Sequence, residues 1–391
     1  MTPAARVQAA LDVLDLVIAA ALANGAPADR IVGDWFKARR FAGSGDRRAV
    51  RELVFRAIRA CGEVPPTGRA AMLRLAQDDP ALAALFDGSR HAPAPIAPGE
   101  AVANGGVAPS WLVEALAGSG IEGAEAQALL GRAPLDIRVN TLRAGLADLP
   151  PGGEPTVAAH GWRYPHGTRI EDTPAWREGA IEVQDTGSQL ACEAVGARPG
   201  ECVIDLCAGG GGKTLALAAA MDGRGEILAT DTDRSRLSRL APRAERAGAH
   251  EIETRLLDPG REAEKLVDWA GKADAVLVDA PCSGTGTWRR NPEARWRLTP
   301  AQLDRYVTVQ SRLLDVAAGL VKPGGRLVYV TCSLLDAEGA DQAQRFLARA
   351  GERWRAELPV LPTGTPRGAG VRLSPLHDGT DGFFIARFRA V

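Results

Sequence analysis

The chain has 391 residues, of which 46% are hydrophobic and 24% are charged. This composition is typical of a soluble globular protein that is long enough for two or three domains. The formal net charge is −1. With this net charge the protein as a whole does not attract the negatively charged phosphates of a nucleic acid, so any affinity for RNA or DNA has to come from local basic patches.

The cysteines and the amino-terminal segment indicate a reducing compartment. The six cysteines form no Cys-x-x-Cys pair, have no histidine cluster beside them and lack the spacing of small disulfide folds. We therefore predict free thiols and no metal site. The first 25 residues contain an uninterrupted apolar run only from 16 to 23, without the basic start and cleavage site of a signal peptide. They predict an amphipathic helix in a cytoplasmic protein.

The amino-terminal part of the chain predicts a small all-helical domain at residues 1–92. Apolar residues recur there at helical spacing, most clearly in segment 47–62. Segment 91–106 is rich in proline, alanine and glycine without periodicity, which favours a linker. Helical spacing then returns and is followed by short strand-like pieces, so we predict an α+β connector at residues 105–182.

Residues 183–391 show short apolar runs that alternate with helical stretches. Such alternation predicts parallel strands joined by right-handed crossovers, and therefore a doubly wound, mostly parallel α/β sheet. The tail at 382–390 follows a turn and can add a last strand in antiparallel orientation.

A glycine-rich loop, DLCAGGGGKT at 205–214, directly follows the first of these strands. Glycines permit tight turns, and the next helix offers free N–H groups, so an anionic or nucleotide-like ligand is expected. A phosphate-binding P-loop requires a glycine where the chain has Cys207, so that motif fails by one residue. A nucleoside cofactor requires an acidic residue after the second strand, and Asp231 meets this requirement. Asp258, after the third strand, can meet an adenine amino group.

Two short strings place a cysteine at the carboxyl end of a predicted strand: DAPCSGTG, with Asp279 and Cys282, and VTCS, with Cys332. Open α/β sheets hold their active sites at this edge. A single strand-end cysteine is more often core packing. The packing interpretation fits three other cysteines better: Cys61, Cys192 and Cys202. Two thiols beside Asp279 on one edge instead suggest covalent chemistry on an electrophilic ring.

Five segments in ordered succession resemble the RNA cytosine-5 methyltransferase family, with its bacterial 16S rRNA and eukaryotic nucleolar members: DLCAGGGGKT, LATDTD, LVDAPCSGTGTWRRNP, KPGGRLVYVTCS and DGFF. The resemblance spans roughly residues 130–391. The stretch DRRAVRELVFRAIRACG is similar to the antitermination-factor-like RNA-binding domain of bacterial members. The resemblance implies a Rossmann-like class I methyltransferase fold, S-adenosylmethionine as cofactor and C5 of an RNA cytosine as target.

The resemblance also implies a role for each motif residue. Cys332 is the implied nucleophile that adds to C6 and makes C5 enamine-like, and Cys282 assists product release. Asp279 is implied to hydrogen-bond the N3 and amino edge of the cytosine, and Lys213 to point toward the base or the cofactor. The residues implied in cofactor binding are Cys207, Ala208, Gly209, Gly210, Gly211, Gly212, Lys213, Asp231, Arg236, Asp258 and Asp279.

Two motifs depart from the family pattern. The family loop usually has Ala-Pro where this chain has Gly209 and Gly210, so the loop is expected to be less rigid and to bind the cofactor more weakly without loss of activity. Asp258 lies in LLDPGR, where the family tends to Gly-Asp, and it is assigned by position.

Arginines near two motifs predict RNA contacts. Arg289 and Arg290 adjoin the Cys282 loop in WRRNPEARWR, where arginines can hold phosphates while a tryptophan stacks on an unpaired base. Arg138 and Arg143 in the connector extend this set. For two further arginines, Arg295 and Arg297, the pattern fits a solvated, charged helix start as well as it fits an RNA contact.

The leading hypothesis is an S-adenosylmethionine-dependent RNA (cytosine-5)-methyltransferase that acts on rRNA as a cytoplasmic monomer. A tRNA-directed member of the same family is an alternative. A second alternative is an RNA-binding ribosome assembly factor that keeps the fold without turnover. The presence of both cysteines and of the aspartates counts against this second alternative.

Overall fold

The computed structural model describes residues 1–143 and 149–391, and these residues form two compact units. The first unit consists of Met1–Arg132 and Thr287–Thr299, and the second of Ala133–Gly286 and Pro300–Val391. The predicted division at 92, 105 and 183 differs from this one. The structural boundary at residue 132 lies inside the predicted connector, so that residues 105–132 belong to the first unit and residues 133–182 to the second.

The first unit is helical, as the sequence predicts. Its helices are α1 (Pro3–Leu22), α2 (Ala28–Lys37), α3 (Ser44–Ala60), α4 (Gly68–Gln77), α5 (Pro80–Ala83), α6 (Ser110–Gly118) and α7 (Gly123–Ala128). Helix α1 begins with Pro3 after Thr2, whose hydroxyl accepts a hydrogen bond from the Ala5 N–H at 3.1 Å. Its apolar face packs on α3 and α4 around a core that includes Leu14, Ile58 and Met72.

The predicted linker at 91–106 packs onto the first unit instead. The Ala103 N–H donates to the carbonyl oxygen of Ala70 at 3.1 Å, and Cys61 forms a β-bridge with Gly105. A sequence without periodicity indicates irregular structure, but it does not distinguish a solvated linker from an irregular segment with internal backbone partners.

Segment Thr287–Thr299 completes the first unit. The Arg295 side chain is fully buried and donates to the carbonyl oxygens of Ile58 and Cys61, at 2.7 and 2.8 Å. These carbonyls lie at the end of α3, where helical partners are missing. Arg295 and the buried Trp296 therefore hold this unit together, and for Arg295 this burial agrees neither with an RNA contact nor with a solvated helix start, the two interpretations that the sequence left open.

The second unit contains a small antiparallel sheet that precedes the main one. Its strands are β1 (Leu135–Val139), β2 (Glu154–Pro155), β3 (Gly161–Tyr164) and β4 (Ile181–Val183), in the order β2-β3-β1-β4. This sheet corresponds to the predicted connector.

The larger sheet of the described residues has the order β11-β12-β13-β9-β8-β5-β6-β7, with β10 paired to β13. Its strands are β5 (Cys202–Asp205), β6 (Glu226–Asp231), β7 (Ile252–Leu256), β8 (Ala273–Asp279), β9 (Val321–Thr331), β10 (Trp354–Glu357), β11 (Thr365–Arg367), β12 (Gly370–Leu373) and β13 (Phe383–Ala390). Strands β5 to β9 are parallel, and β13 pairs antiparallel with β9. The predicted doubly wound sheet and its last strand are confirmed.

Helices cover both faces of the parallel strands. The helices of the second unit are α8 (Pro174–Arg177), which contacts β4 of the small sheet, and α9 (Thr186–Val195), α10 (Gly212–Ala220), α11 (Arg234–Leu237), α12 (Leu240–Ala247), α13 (Glu262–Lys265), α14 (Pro300–Leu320), α15 (Ala340–Ala350) and α16 (Pro375–Asp378). Short 3₁₀ turns occupy Thr141–Arg143, Ile170–Asp172, Val267–Trp269, Thr285–Thr287, Pro292–Trp296, Asp336–Glu338 and Gly351–Arg353. Because both faces of the sheet are buried, its central strands are continuous apolar runs.

The strand order changes direction at β5, because the chain continues to β6 on one side while β8 lies on the other. Crevices at such a switch point, outside the carboxyl ends of the strands, are where open α/β sheets bind ligands. Across residues 1–143 and 149–391, every helix is too short or too polar to span a bilayer.

Candidate active site

The carboxyl ends of β5, β6, β8 and β9 surround a cavity of about 530 Å³. Its lining includes six residues that the sequence analysis named: Cys207, Asp231, Arg236, Asp279, Cys282 and Cys332. The structure therefore brings together motifs that lie far apart in the chain, because neighbouring parallel strands end at one edge of the sheet.

The glycine loop and Asp231 are joined by backbone hydrogen bonds. The N–H of Gly209 donates to Asp231 Oδ2 at 2.8 Å, and the N–H of Asp233 donates to Oδ1 at 2.7 Å. Gly211 has a φ of +86°, and a Cβ there would lie 2.1 Å from Leu240 Cδ1, so only glycine fits. Each carboxylate oxygen of Asp231 keeps acceptor capacity for a ligand hydroxyl.

Asp258, a predicted cofactor residue, does not line this cavity. Its side chain is 55% exposed and pairs with Lys265 in α13 at 3.4 Å. The neighbours Leu257 and Pro259 line the cavity instead. The chain turns directly after β7, and the Asp258 side chain is exposed at that turn. Its position after the third strand is therefore not sufficient to bring it into the cavity.

Lys213 and Asp279 form an ion pair with 2.6 Å between Nζ and Oδ2. Burial opposes the charge on Lys213, but the Asp279 carboxylate outweighs it and raises the pKa of the ammonium above its ordinary value. Lys213 therefore stays cationic beside Asp279 and is unsuited to accept a proton.

A second cavity of about 350 Å³ adjoins the first at Cys207, Arg236 and Asp279, and Lys213 lines it. Asp205, at the end of β5, also lines this second cavity and is fully buried. Burial raises the pKa of its carboxyl to about 7, although the Thr214 hydroxyl donates to Oδ2 at 2.7 Å.

The sulfur atoms of Cys282 and Cys332 lie 3.4 Å apart. The loops that carry them are tied by the Gly286 N–H, which donates to the Cys332 carbonyl oxygen at 3.0 Å. The hydrogen bond with Cys332, together with burial, raises the pKa of the Cys282 thiol well above its ordinary value. Cys282 is therefore held as a thiol and is a poor attacking nucleophile at neutral pH.

The remaining cysteines fit a packing role, as the sequence indicates for three of them. Burial raises the pKa of Cys61 to about 11, of Cys192 to about 12 and of Cys202 to about 11. It also raises the pKa of Cys207 well above its ordinary value. The raised pKa values keep these four thiols protonated at neutral pH. The feature that marks Cys282 and Cys332 is the 3.4 Å separation of their sulfur atoms.

The arginines predicted to contact RNA occupy mostly internal positions. Arg138 is 5% exposed and donates to Gln184 Oε1 at 2.8 Å, and Arg289 is 7% exposed. Arg143 donates to the carbonyl oxygens of Glu245 and Arg246 at 3.4 and 3.3 Å. A buried guanidinium cannot reach a phosphate, so Arg138 and Arg289 are not positioned to contact RNA. Arg290 is half-buried.

Sequence reasoning missed two groups of site residues. The first is the ion pair of the buried Glu262 with Arg312, both of which line the larger cavity. The second is a polar network beneath the two cysteine loops that centres on Glu338. Both acids lie in stretches whose charge pattern is typical of solvent-exposed helices, so the sequence carries no signal that they are buried. Among the described residues, no group of three or more metal-ligating side chains is arranged to hold an ion.

A family model, "16S rRNA methyltransferase RsmB/F", matches residues 193–389, which is half of the chain. The chain belongs to the RsmB/F family. A protein of Synechocystis sp. (strain ATCC 27184 / PCC 6803 / Kazusa) named probable ribosomal RNA small subunit methyltransferase B is 37% identical to this RsmB/F member over 278 residues. That alignment covers 65% of the chain and 60% of the relative, so the chain spans less than two thirds of the relative's length.

Two solved structures resemble this RsmB/F member. The crystal structure of PH0851 has a TM-score of 0.77 and 25% identity, and the match covers 99% of each chain. The crystal structure of NSun6 from Pyrococcus horikoshii with SFG has a TM-score of 0.51 and 28% identity, and it covers 57% of this chain and 56% of its own. The family prediction is confirmed, and the parallel-sheet part is a methyltransferase domain of the type that uses S-adenosylmethionine.

Proposed function

We propose that this protein is an S-adenosylmethionine-dependent RNA (cytosine-5)-methyltransferase that acts on ribosomal RNA through a covalent cysteine adduct. The observation that carries the proposal is the pair of thiols, Cys282 and Cys332, 3.4 Å apart beside Asp279 at the edge of the sheet. Family membership supports ribosomal RNA as the substrate class. The proposal includes the monomeric state and cytoplasmic location expected from the sequence.

The residues around the larger cavity fit S-adenosylmethionine. Asp231, at the end of β6, is 6% exposed and keeps acceptor capacity for the ribose hydroxyls. Leu257 and Pro259 offer an apolar surface for the adenine, and Arg236 lines the cavity beside Gly209 of the glycine-rich loop. When bound, this cofactor supplies an electrophilic methyl group. The solved NSun6 contains SFG, an S-adenosylmethionine analogue, which supports the assignment.

The proposed chemistry begins at Cys332. Cytosine C5 is a weak nucleophile, and addition of the Cys332 sulfur to C6 moves the ring electrons toward C5. Asp279 accepts a hydrogen bond from the exocyclic amino group, and the cationic Lys213 beside it balances the charge that develops on the ring.

After methyl transfer, the C5 proton passes to a water molecule, and the electron pair of the broken C5–H bond re-forms the C5–C6 double bond and expels the Cys332 sulfur from C6 as a thiolate. Cys282 assists this release from its position 3.4 Å away. Its raised pKa keeps it from competing with Cys332 for the ring.

RNA contact is proposed for the basic segment 37–48 of the first unit, since Arg138 and Arg289 are buried. This segment carries five basic residues and a single acid, Asp46, which is bound by Arg6 at 2.8 Å and by the amino terminus at 3.2 Å. Arg40 and Arg48 are exposed, and Phe41 between them is 75% exposed. Exposed cations around an exposed ring favour an unpaired RNA segment, whose phosphates and bases they can both contact.

Bisulfite sequencing of total RNA from a deletion strain tests the substrate. We expect one 5-methylcytosine of 16S rRNA to disappear and to return when the wild-type chain is supplied. Loss of a tRNA signal instead would favour the tRNA-directed alternative. An unchanged map contradicts the proposed activity.

A further inference from the structure

We infer that Glu338 is a positioning residue that fixes the separation of the two cysteine sulfurs by holding together the loops that carry them. The inference rests on the proposed function, because it assigns Glu338 to the same two-cysteine site. Glu338 follows β9 in the 3₁₀ turn Asp336–Glu338, and it does not line the larger cavity. It acts through its neighbours and touches no reacting atom.

Glu338 is fully buried and is bound by hydrogen-bond donors from two other segments. Its Oε1 accepts from the Ser283 N–H at 2.9 Å and from Gln310 Nε2 at 3.0 Å, and its Oε2 accepts from the Ser283 hydroxyl. The Tyr329 hydroxyl donates to the Glu338 carbonyl oxygen at 2.6 Å. A buried carboxylate is costly unless donors satisfy it, so this set of bonds fixes the loop after Cys282.

The carboxylate also sets the direction of a chain of hydroxyls. A hydroxyl has one hydrogen, and Ser283 gives its hydrogen to Glu338, which can only accept. The Ser283 oxygen, 3.1 Å from Ser333 Oγ, must therefore accept from Ser333. Ser333 Oγ in turn must accept from Thr285, at 3.2 Å. Every proton of the chain therefore points toward Glu338.

This chain of hydroxyls connects both cysteines. Ser283 directly follows Cys282, and Ser333 directly follows Cys332. The N–H of Leu335 donates to Ser333 Oγ at 3.1 Å, so the backbone after Cys332 is fixed by the same network. If the Glu338 end of the chain donated instead of accepting, each hydroxyl of the chain would have to turn.

The charge of Glu338 acts on the same cysteine pair. The hydrogen bond with Cys332 and burial contribute most to the raised pKa of Cys282, and the Glu338 carboxylate adds to them. Removal of this charge therefore has an effect on Cys282 that a purely structural contact would not have.

The test compares E338Q with the wild type and with E357Q. Glu357 on β10 is a partly buried acid, and it pairs with Arg387 and Arg389 at the other end of the sheet. Alkylation of Cys282 and Cys332 by iodoacetamide is followed by mass spectrometry across pH, and methyl transfer to 16S rRNA is measured separately. For E338Q we expect the alkylation midpoint of Cys282 to fall by about one pH unit. We expect kcat to fall about tenfold or more, with KM for S-adenosylmethionine unchanged.

E338D is the second variant, and the same two measurements are made on it if E338Q does not fold. It keeps the charge but retracts the carboxylate by one methylene, so we expect the Cys282 midpoint to stay and kcat to fall. E357Q should match the wild type in both measurements. Unchanged alkylation and unchanged kcat in the folded Glu338 variants would overturn the inference. Alkylation requires neither RNA nor methyl donor, so it decides the role of Glu338 even if the wild type transfers no methyl group.

Discussion

Cys282 and Cys332 are identical side chains to which the proposed mechanism gives different tasks. Each follows a parallel strand, and their sulfurs lie within 3.4 Å of each other. The bond with Cys332 and burial hold Cys282 as a thiol, which makes it a poor nucleophile. At the residue scale, the order of the two cysteines is the one that the family resemblance implies, with Cys332 proposed as the attacking group and Cys282 as the group that acts afterwards.

This division of tasks predicts opposite phenotypes for two matched variants. C332A should abolish methyl transfer and form no adduct, because no sulfur is left to add to C6. C282A should accumulate a covalent protein–RNA adduct, because attack proceeds while release is slowed. A denaturing gel with labelled 16S rRNA and S-adenosylmethionine detects the adduct as a shifted band. Accumulation in C332A, with none in C282A, would reverse the two assignments.

Asp205 predicts a pH-dependent stability. Because burial raises the pKa of its carboxyl to about 7, the folded state binds a proton that the unfolded state releases at lower pH. The wild type therefore loses stability as pH rises from about 4 to about 7. D205N carries no such charge, so its advantage over the wild type should grow from zero at low pH to as much as about 4 kcal/mol at pH 8. Urea unfolding at pH 5 and pH 8 measures this difference, and an equal difference at both values would contradict it.

At the scale of elements, apolar runs were sufficient to predict the parallel strands. Strands β5 and β8 are buried on both faces, and their ends carry the polar motif residues, so their position follows from the sequence. The sequence does not show that Thr287–Thr299 packs with the amino-terminal helices, because the buried Arg295 has the same local pattern as a solvated one. For the same reason, the burial of Arg138 and of Glu338 depends on tertiary contacts that the local sequence does not record.

The basic segment 37–48 makes a prediction at this scale. R40E/R48E should weaken binding of the 391-residue chain to 16S rRNA about tenfold or more at physiological salt and should reduce the salt dependence of binding, because phosphate contacts are lost. R169E/R224E is the matched control, since both side chains are more than 60% exposed in the second unit and the change in net charge is equal. Filter binding across salt concentrations measures both variants. Equal losses in the two would show a general charge effect and contradict a specific role of the segment.

At the scale of the whole molecule, the chain combines a helical unit with a methyltransferase domain whose carboxyl edge holds two thiols, an aspartate and a cationic lysine. The order of the motifs along the chain was enough to predict the family, and four of the five motifs lie at the carboxyl ends of parallel strands of one sheet. The division into units was not predictable, because Thr287–Thr299 lies between two stretches of the second unit in the sequence but packs in the first unit.

The most direct test of the central claim is methyl transfer by the purified chain to a 16S rRNA transcript with S-adenosylmethionine that carries a labelled methyl group. C332A, which keeps the cofactor cavity, is the control. We expect nuclease digestion and mass spectrometry to find the label in 5-methylcytosine with the wild type and nowhere with C332A. Label in another nucleoside, or equal transfer by C332A, would contradict cytosine-5 methylation through a cysteine adduct.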